Sequence, residues 1–96
     1  MFYLPNECPI CEQGSVGFFR CKSKTMLLVC DECTAVWVDP TNIVLEMAHC
    51  FDETSFTLPG STTSLKGGEW ATKDEIRKSG WASFVAGEGE ALWQIP

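Results

Sequence analysis

Apolar and polar positions alternate most regularly near the start of the chain. Val16-Gly17-Phe18-Phe19-Arg20-Cys21-Lys22 and Thr25-Met26-Leu27-Leu28-Val29-Cys30 read as two strands joined at Ser23-Lys24. Ala35-Val36-Trp37-Val38 reads as a third short strand, stopped by Asp39-Pro40. Beyond it the pattern is ambiguous. Ile43, Val44, Met47, Ala48 and Phe51 make a helical stripe, while Ile43, Leu45, Met47 and Phe51 fit a period of two, so residues 41 to 51 are predicted as helix with a strand as the alternative. Residues 52 to 68 are rich in Ser, Thr, Gly and Pro and read as a loop, with Phe56-Thr57-Leu58 a potential edge strand.

Both ends of a short helix are written within residues 70 to 81. Thr72 and Glu75 form a capping box, Asp74 and Glu75 suit the first turn, and Arg77 and Lys78 suit the last. Gly80 supplies the left-handed C′ residue, which lets Trp81 fold back onto Ile76. Residues 82 to 86 and 91 to 95, separated by Gly87-Glu88-Gly89-Glu90, read as two short elements that close as a hairpin onto the N-terminal strands. The expected fold class is therefore α+β, organised as residues 1–40 with a 41–96 extension packed on them as one unit.

Ninety-six residues with 45% apolar content form a small core whose margin is a few kcal/mol, about 3–5 below 80 residues, so a staple is expected. Six cysteines offer one. No run approaches the roughly 18 apolar residues of a membrane span. The start, Met1 to Glu7, lacks the basic and apolar regions of a secretory signal, so a cytoplasmic protein is expected. In a reducing compartment paired cysteines favour metal over disulfide.

Four cysteines fall into two pairs, Cys8-Pro9-Ile10-Cys11 and Cys30-Asp31-Glu32-Cys33, with eighteen residues between Cys11 and Cys30. This is a four-thiolate zinc spacing, in which each two-residue gap aims both sulfurs at a shared ion and the hairpin returns the second pair to the first. With Gly14 after the first pair and Trp37 after the second, residues 1–40 resemble the zinc ribbon, or rubredoxin-like, group. That resemblance implies a three-stranded antiparallel ribbon with two knuckles clamping one structural Zn2+. Glu12 and Thr34 stand where many such knuckles carry glycine. The same four-sulfur set also suits iron and electron transfer. A closed site leaves no position for water or substrate, and with a single histidine, His49, the chain is expected not to be an enzyme.

Cys21 is expected to be a small buried hydrophobe. Cys50 beside His49 offers a weaker second metal site, because adjacent side chains diverge.

The chain carries seven basic and thirteen acidic residues, a net charge of −6, which argues against a dedicated nucleic-acid binder and favours a basic protein partner. Asp52, Glu53, Glu69, Asp74, Glu88 and Glu90 would steer that partner, and Trp70 and Trp93 would anchor it. In size, charge and class the chain resembles immunity proteins that neutralise basic toxins, which implies an inhibitor that binds a protein. The alternative is a nucleic-acid or transcription-associated ribbon using Phe18, Arg20, Lys22 and Lys24, which share one strand parity.

Overall fold

The computed structural model describes residues 1–50, 57 and 63–90. Its centre is the hairpin expected from the alternation, β2 (Ser15–Arg20) and β3 (Met26–Cys30), paired from Val16↔Cys30 to Arg20↔Met26. On one side β4 (Val36–Trp37) pairs with β3. On the other lies β1 (Phe2–Glu7), paired with β2 at Tyr3↔Gly17 and Glu7↔Ser15 with an irregularity between them. Pro5 falls within that irregularity, which suits a residue that cannot donate to a ladder.

The extension contributes to the same antiparallel sheet. β5 (Glu69–Trp70) pairs with the Phe19–Arg20 end of β2, and β6 (Gly87–Glu88) pairs with Phe2 and Tyr3 of β1. The order across the sheet is β4-β3-β2-β1-β6 with β5 beside β2. Gly87 and Glu88 are thus a strand and not the turn that the sequence implies. Residues 91 to 95, the other arm of the expected hairpin, lie outside the described residues.

Helix α1 (Lys73–Lys78) has the predicted grammar. Thr72 Oγ1 accepts from the Glu75 N–H at 3.2 Å, and the Glu75 carboxylate accepts from the Thr72 N–H at 2.9 Å. At the other end Gly80 adopts φ 83°, the Trp81 N–H reaches the Ile76 carbonyl at 3.2 Å, and the Gly80 N–H reaches that of Arg77 at 3.1 Å. This is the Schellman pairing. Residues 41 to 50 are neither the long helix nor the strand expected. Leu45–Met47 is a single 3-10 turn, and the His49 backbone bridges to Val36. Two tertiary anchors override the local periodicity there: the Trp37 indole N–H donates to the Val44 carbonyl at 2.9 Å, and Val36 and His49 exchange backbone hydrogen bonds at 2.7 and 2.9 Å.

Both faces of the hairpin are covered. Phe18, Leu28 and Trp37 pack with Cys8, Cys30, Ile43 and Ile76 on one side, with Trp81 against them. Phe19, Leu27, Val29 and Val36 pack with Cys21 and Leu65 on the other, under Trp70. Cys21 is a buried hydrophobe as expected, and burial pushes its thiol above the ordinary cysteine range.

Candidate metal centre

The antiparallel β2–β3 pairing returns Cys30 to the level of Val16, one turn from the Cys8–Cys11 knuckle. All four sulfurs then lie within 4.8 Å of one another. Cys8 and Cys33 approach to 3.5 Å, and Cys11 and Cys30 to 3.7 Å. Four sulfurs held at about 2.3 Å from one ion stand about 3.8 Å apart. The four cysteines could therefore hold a metal ion, with each knuckle supplying one sulfur to each of these two close pairs. Cys8 and Cys30 are buried, and Cys11 and Cys33 face partly outward.

Backbone donors surround the sulfurs. The Gly14 N–H points to Cys11 Sγ at 3.3 Å, and the Glu32 and Cys33 N–H groups point to Cys30 Sγ at 3.4 Å. The N–H groups of Gln13 and then Gly14 bring the Cys11 thiol down to about 7 despite partial burial. Burial pushes the Cys30 and Cys33 thiols up, partly offset by the backbone N–H groups at each sulfur. Four clustered thiolates without a cation would repel one another, and a bound cation inverts that logic.

The knuckle backbone carries strain at both of the positions that lack glycine. Glu12 has φ 56° and Thr34 has φ 62°, the left-handed region that costs an L-residue roughly 1–2 kcal/mol. The turn geometry that aims later N–H groups at sulfur is thus retained with side chains present. Thr34 Oγ1 donates to the Cys33 carbonyl at 2.6 Å, which offsets part of that cost.

Asp31 was not singled out by sequence reasoning. Its buried carboxylate accepts the Ser15 N–H at 2.9 Å while its own N–H donates to the Ser15 carbonyl at 3.0 Å. This reciprocal pair ties the second knuckle to the start of β2, directly after the first. Its only sequence signal is an acidic residue between two ligands. Gly14 is equally specific, since a Cβ there would sit 2.5 Å from Cys30 Sγ and 2.9 Å from Glu32 Cβ. Gly14→Ala should weaken metal affinity about 10–100-fold, the scale of lost ligand orientation, as read by competition with a chromophoric chelator.

The other candidate residues do not converge on one site. Glu69 ion-pairs with Arg20 at 3.1 Å, Asp74 pairs with Arg77, and Glu88 and Glu90 are exposed near β1. Trp70 meets Phe19 edge to face at 5.4 Å and is half-buried. Asp52, Glu53 and Trp93 lie outside the described residues. The alternative nucleic-acid set is divided. Phe18 is completely buried under Trp81, and Arg20 is engaged by Glu69 and by Glu75, at 2.5 Å. Lys22 and Lys24 are exposed. The shared parity of Phe18 and Arg20 is real, but α1 packs on that face. His49 and Cys50 are exposed and join no group of three or more potential ligands among the described residues.

No known protein family and no solved structure matches this chain. A protein of Acanthamoeba polyphaga mimivirus, described as "Uncharacterized protein L48", is 26% identical over 95 residues, covering 91% of this chain and 79% of its own length. Among the described residues, no helix is long and apolar enough to cross a membrane.

Proposed function

We propose that this chain is a non-catalytic zinc-ribbon binding module in which one structural Zn2+, held by Cys8, Cys11, Cys30 and Cys33, fixes an acidic surface that engages a basic protein, as an inhibitor or immunity protein does. The spacing of the four sulfurs carries the first part. An all-thiolate tetrahedron favours zinc or iron and leaves no coordination position for water, so the ion acts on folding and not on substrate. Zinc is the choice over iron because an electron carrier has no use for the long acidic extension.

The partner reading rests on charge. A net −6, made more negative by two thiolates beyond those that Zn2+ neutralises, steers a basic protein by long-range attraction. Among the proposed steering residues, Glu88 and Glu90 are exposed beside the β1–β6 pair.

The test has two readings on one sample. Elemental analysis of the purified protein should give one zinc per chain and no visible absorption band. Immobilised zinc-loaded protein in nuclease-treated lysate should then retain one basic protein in stoichiometric amount, and reversing Glu88 and Glu90 to Lys should release it. An iron chromophore would overturn the metal assignment, and retention indifferent to the charge reversals would overturn the partner assignment.

A further inference from the structure

The basic residues of this acidic chain are concentrated at the end of the β2–β3 hairpin away from the four clustered cysteines. Five of its seven, Arg20, Lys22, Lys24, Lys66 and Lys78, line two adjoining depressions at the turn end of the β2–β3 hairpin, and Lys22 is common to both. The larger is a pocket of about 440 Å³ between the hairpin and the last turn of α1. Arg20 forms part of its wall, held by Glu75, which is itself held by the Thr72 N–H. That chain of contacts ties α1 to the hairpin, and Lys78 lines the same pocket as Lys22 and Lys24. Among the described residues, the ion pairs involve only Arg20 and Arg77 as cations, so Lys22, Lys24 and Lys78 stand in none of them.

Two backbone features hold those lysines in place. Lys24 occupies a left-handed position, φ 72°, where glycine or asparagine would be less strained, so a cation is kept at the hairpin turn at a conformational cost. Gly67, φ 79°, passes against the Lys22 stem, where a Cβ would lie 3.3 Å from Lys22 Cδ. The Lys22 stem thus runs close to the Gly67 backbone while the residue stays exposed.

From these features we infer that the pocket formed by Arg20, Lys22, Lys24 and Lys78 binds a multiply charged phosphate group, of the kind carried by a free organic diphosphate or triphosphate. Lysines act as point charges toward phosphate, and three of them outmatch a single carboxylate. Glu75 and Glu69 remain engaged with Arg20 and reduce the local charge without cancelling it. The concave shape and the stems of Met26 and the lysines suit a small ligand with an apolar part beside its phosphates. A long nucleic-acid strand would also have to cross the acidic remainder of the surface, whereas a small anion meets only the local field. This site is separate from the metal and from exposed Glu88 and Glu90, while Glu69, which holds Arg20, borders it, so the pocket is tested by its own lysine variants and the partner reading by Glu88 and Glu90.

The experiment is a titration of the intact metal-loaded protein with inorganic pyrophosphate and, in parallel, ADP, followed by backbone amide shifts at moderate salt. Saturation with Kd on the order of 1 mM or tighter is expected, with shifts confined to the hairpin turn and the end of α1. Lys24→Gln and Lys78→Gln should each weaken it about tenfold, the scale of one charge-assisted contact. Lys73→Gln, which removes the same charge from the first turn of α1, should leave it unchanged. Unaltered metal content and amide dispersion exclude misfolding of the variants. Tighter binding of ADP than pyrophosphate identifies an apolar contribution within the same site, and equal binding identifies the phosphates alone. Absence of saturation, equal loss in Lys73→Gln, or binding of single-stranded DNA without binding of pyrophosphate would each overturn the assignment.

Discussion

Removing the metal from the loaded protein with a strong chelator is expected to abolish its cooperative melt and its near-ultraviolet dichroism together. Metal-binding free energy in four-ligand domains of this kind is on the order of 10 kcal/mol and is folding free energy. The total stability of a small domain is about 5–15 kcal/mol, most or all of which that loss would remove. The coupling is geometric as well as energetic. Cys8 and Cys30 are core residues that pack with Phe18, Leu28 and Trp37, so loss of the ion that ties the two knuckles together would open the core from one end. Cys30→Ser should reproduce the effect of the chelator, and readdition of zinc should restore the wild type alone. A melt that moves by only a few degrees on complete metal removal would show that the two cores hold the sheet unaided.

Trp37→Ala is expected to give the next largest effect, a loss of about 3–5 kcal/mol in the metal-loaded protein from the vacated volume. Trp37 is completely buried in β4. Its indole also supplies the hydrogen bond to the Val44 carbonyl, and removing one partner of such a bond adds about 1 kcal/mol. For a domain of this length the sum lowers the melting temperature by on the order of 20 °C. Trp37→Phe should recover most of the packing and none of the hydrogen bond. Proteolysis between residues 38 and 48 should therefore be fast in Trp37→Ala and intermediate in Trp37→Phe. Equal, slow cleavage in both would mean that the Val36–His49 bridge alone secures that segment.

What could be read from the sequence was what neighbours in the chain decide. The β2–β3 alternation, the cysteine spacing and the caps of α1 all depend on residues within a few positions of each other, and all three appear where expected. The two knuckle positions without glycine are departures visible in the sequence, and both carry left-handed backbone. What escaped reading depends on distant partners. β1 contains Pro5 and a polar Asn6-Glu7 end, and it becomes a strand through β2 and β6. β5 and β6 are two residues each, too short for any periodicity. The stripe in residues 43 to 51 favoured two regular structures, and the contacts from Val36 and Trp37 selected neither. Parity placed Phe18 and Arg20 on one face, but only tertiary structure reveals that α1 covers it.

The β1–β6 pair has a consequence for how the chain assembles. Phe2 lies beside Glu88, so this junction closes the longest loop described, whereas the hairpin and its two knuckles close within about thirty residues. Loop-closure entropy makes distant pairing slow and local pairing early. The hairpin end is therefore expected to serve as the nucleus, with β6 docking last over a register of two residue pairs. In the finished protein that same short seam is expected to exchange its amide hydrogens before the cysteine end does.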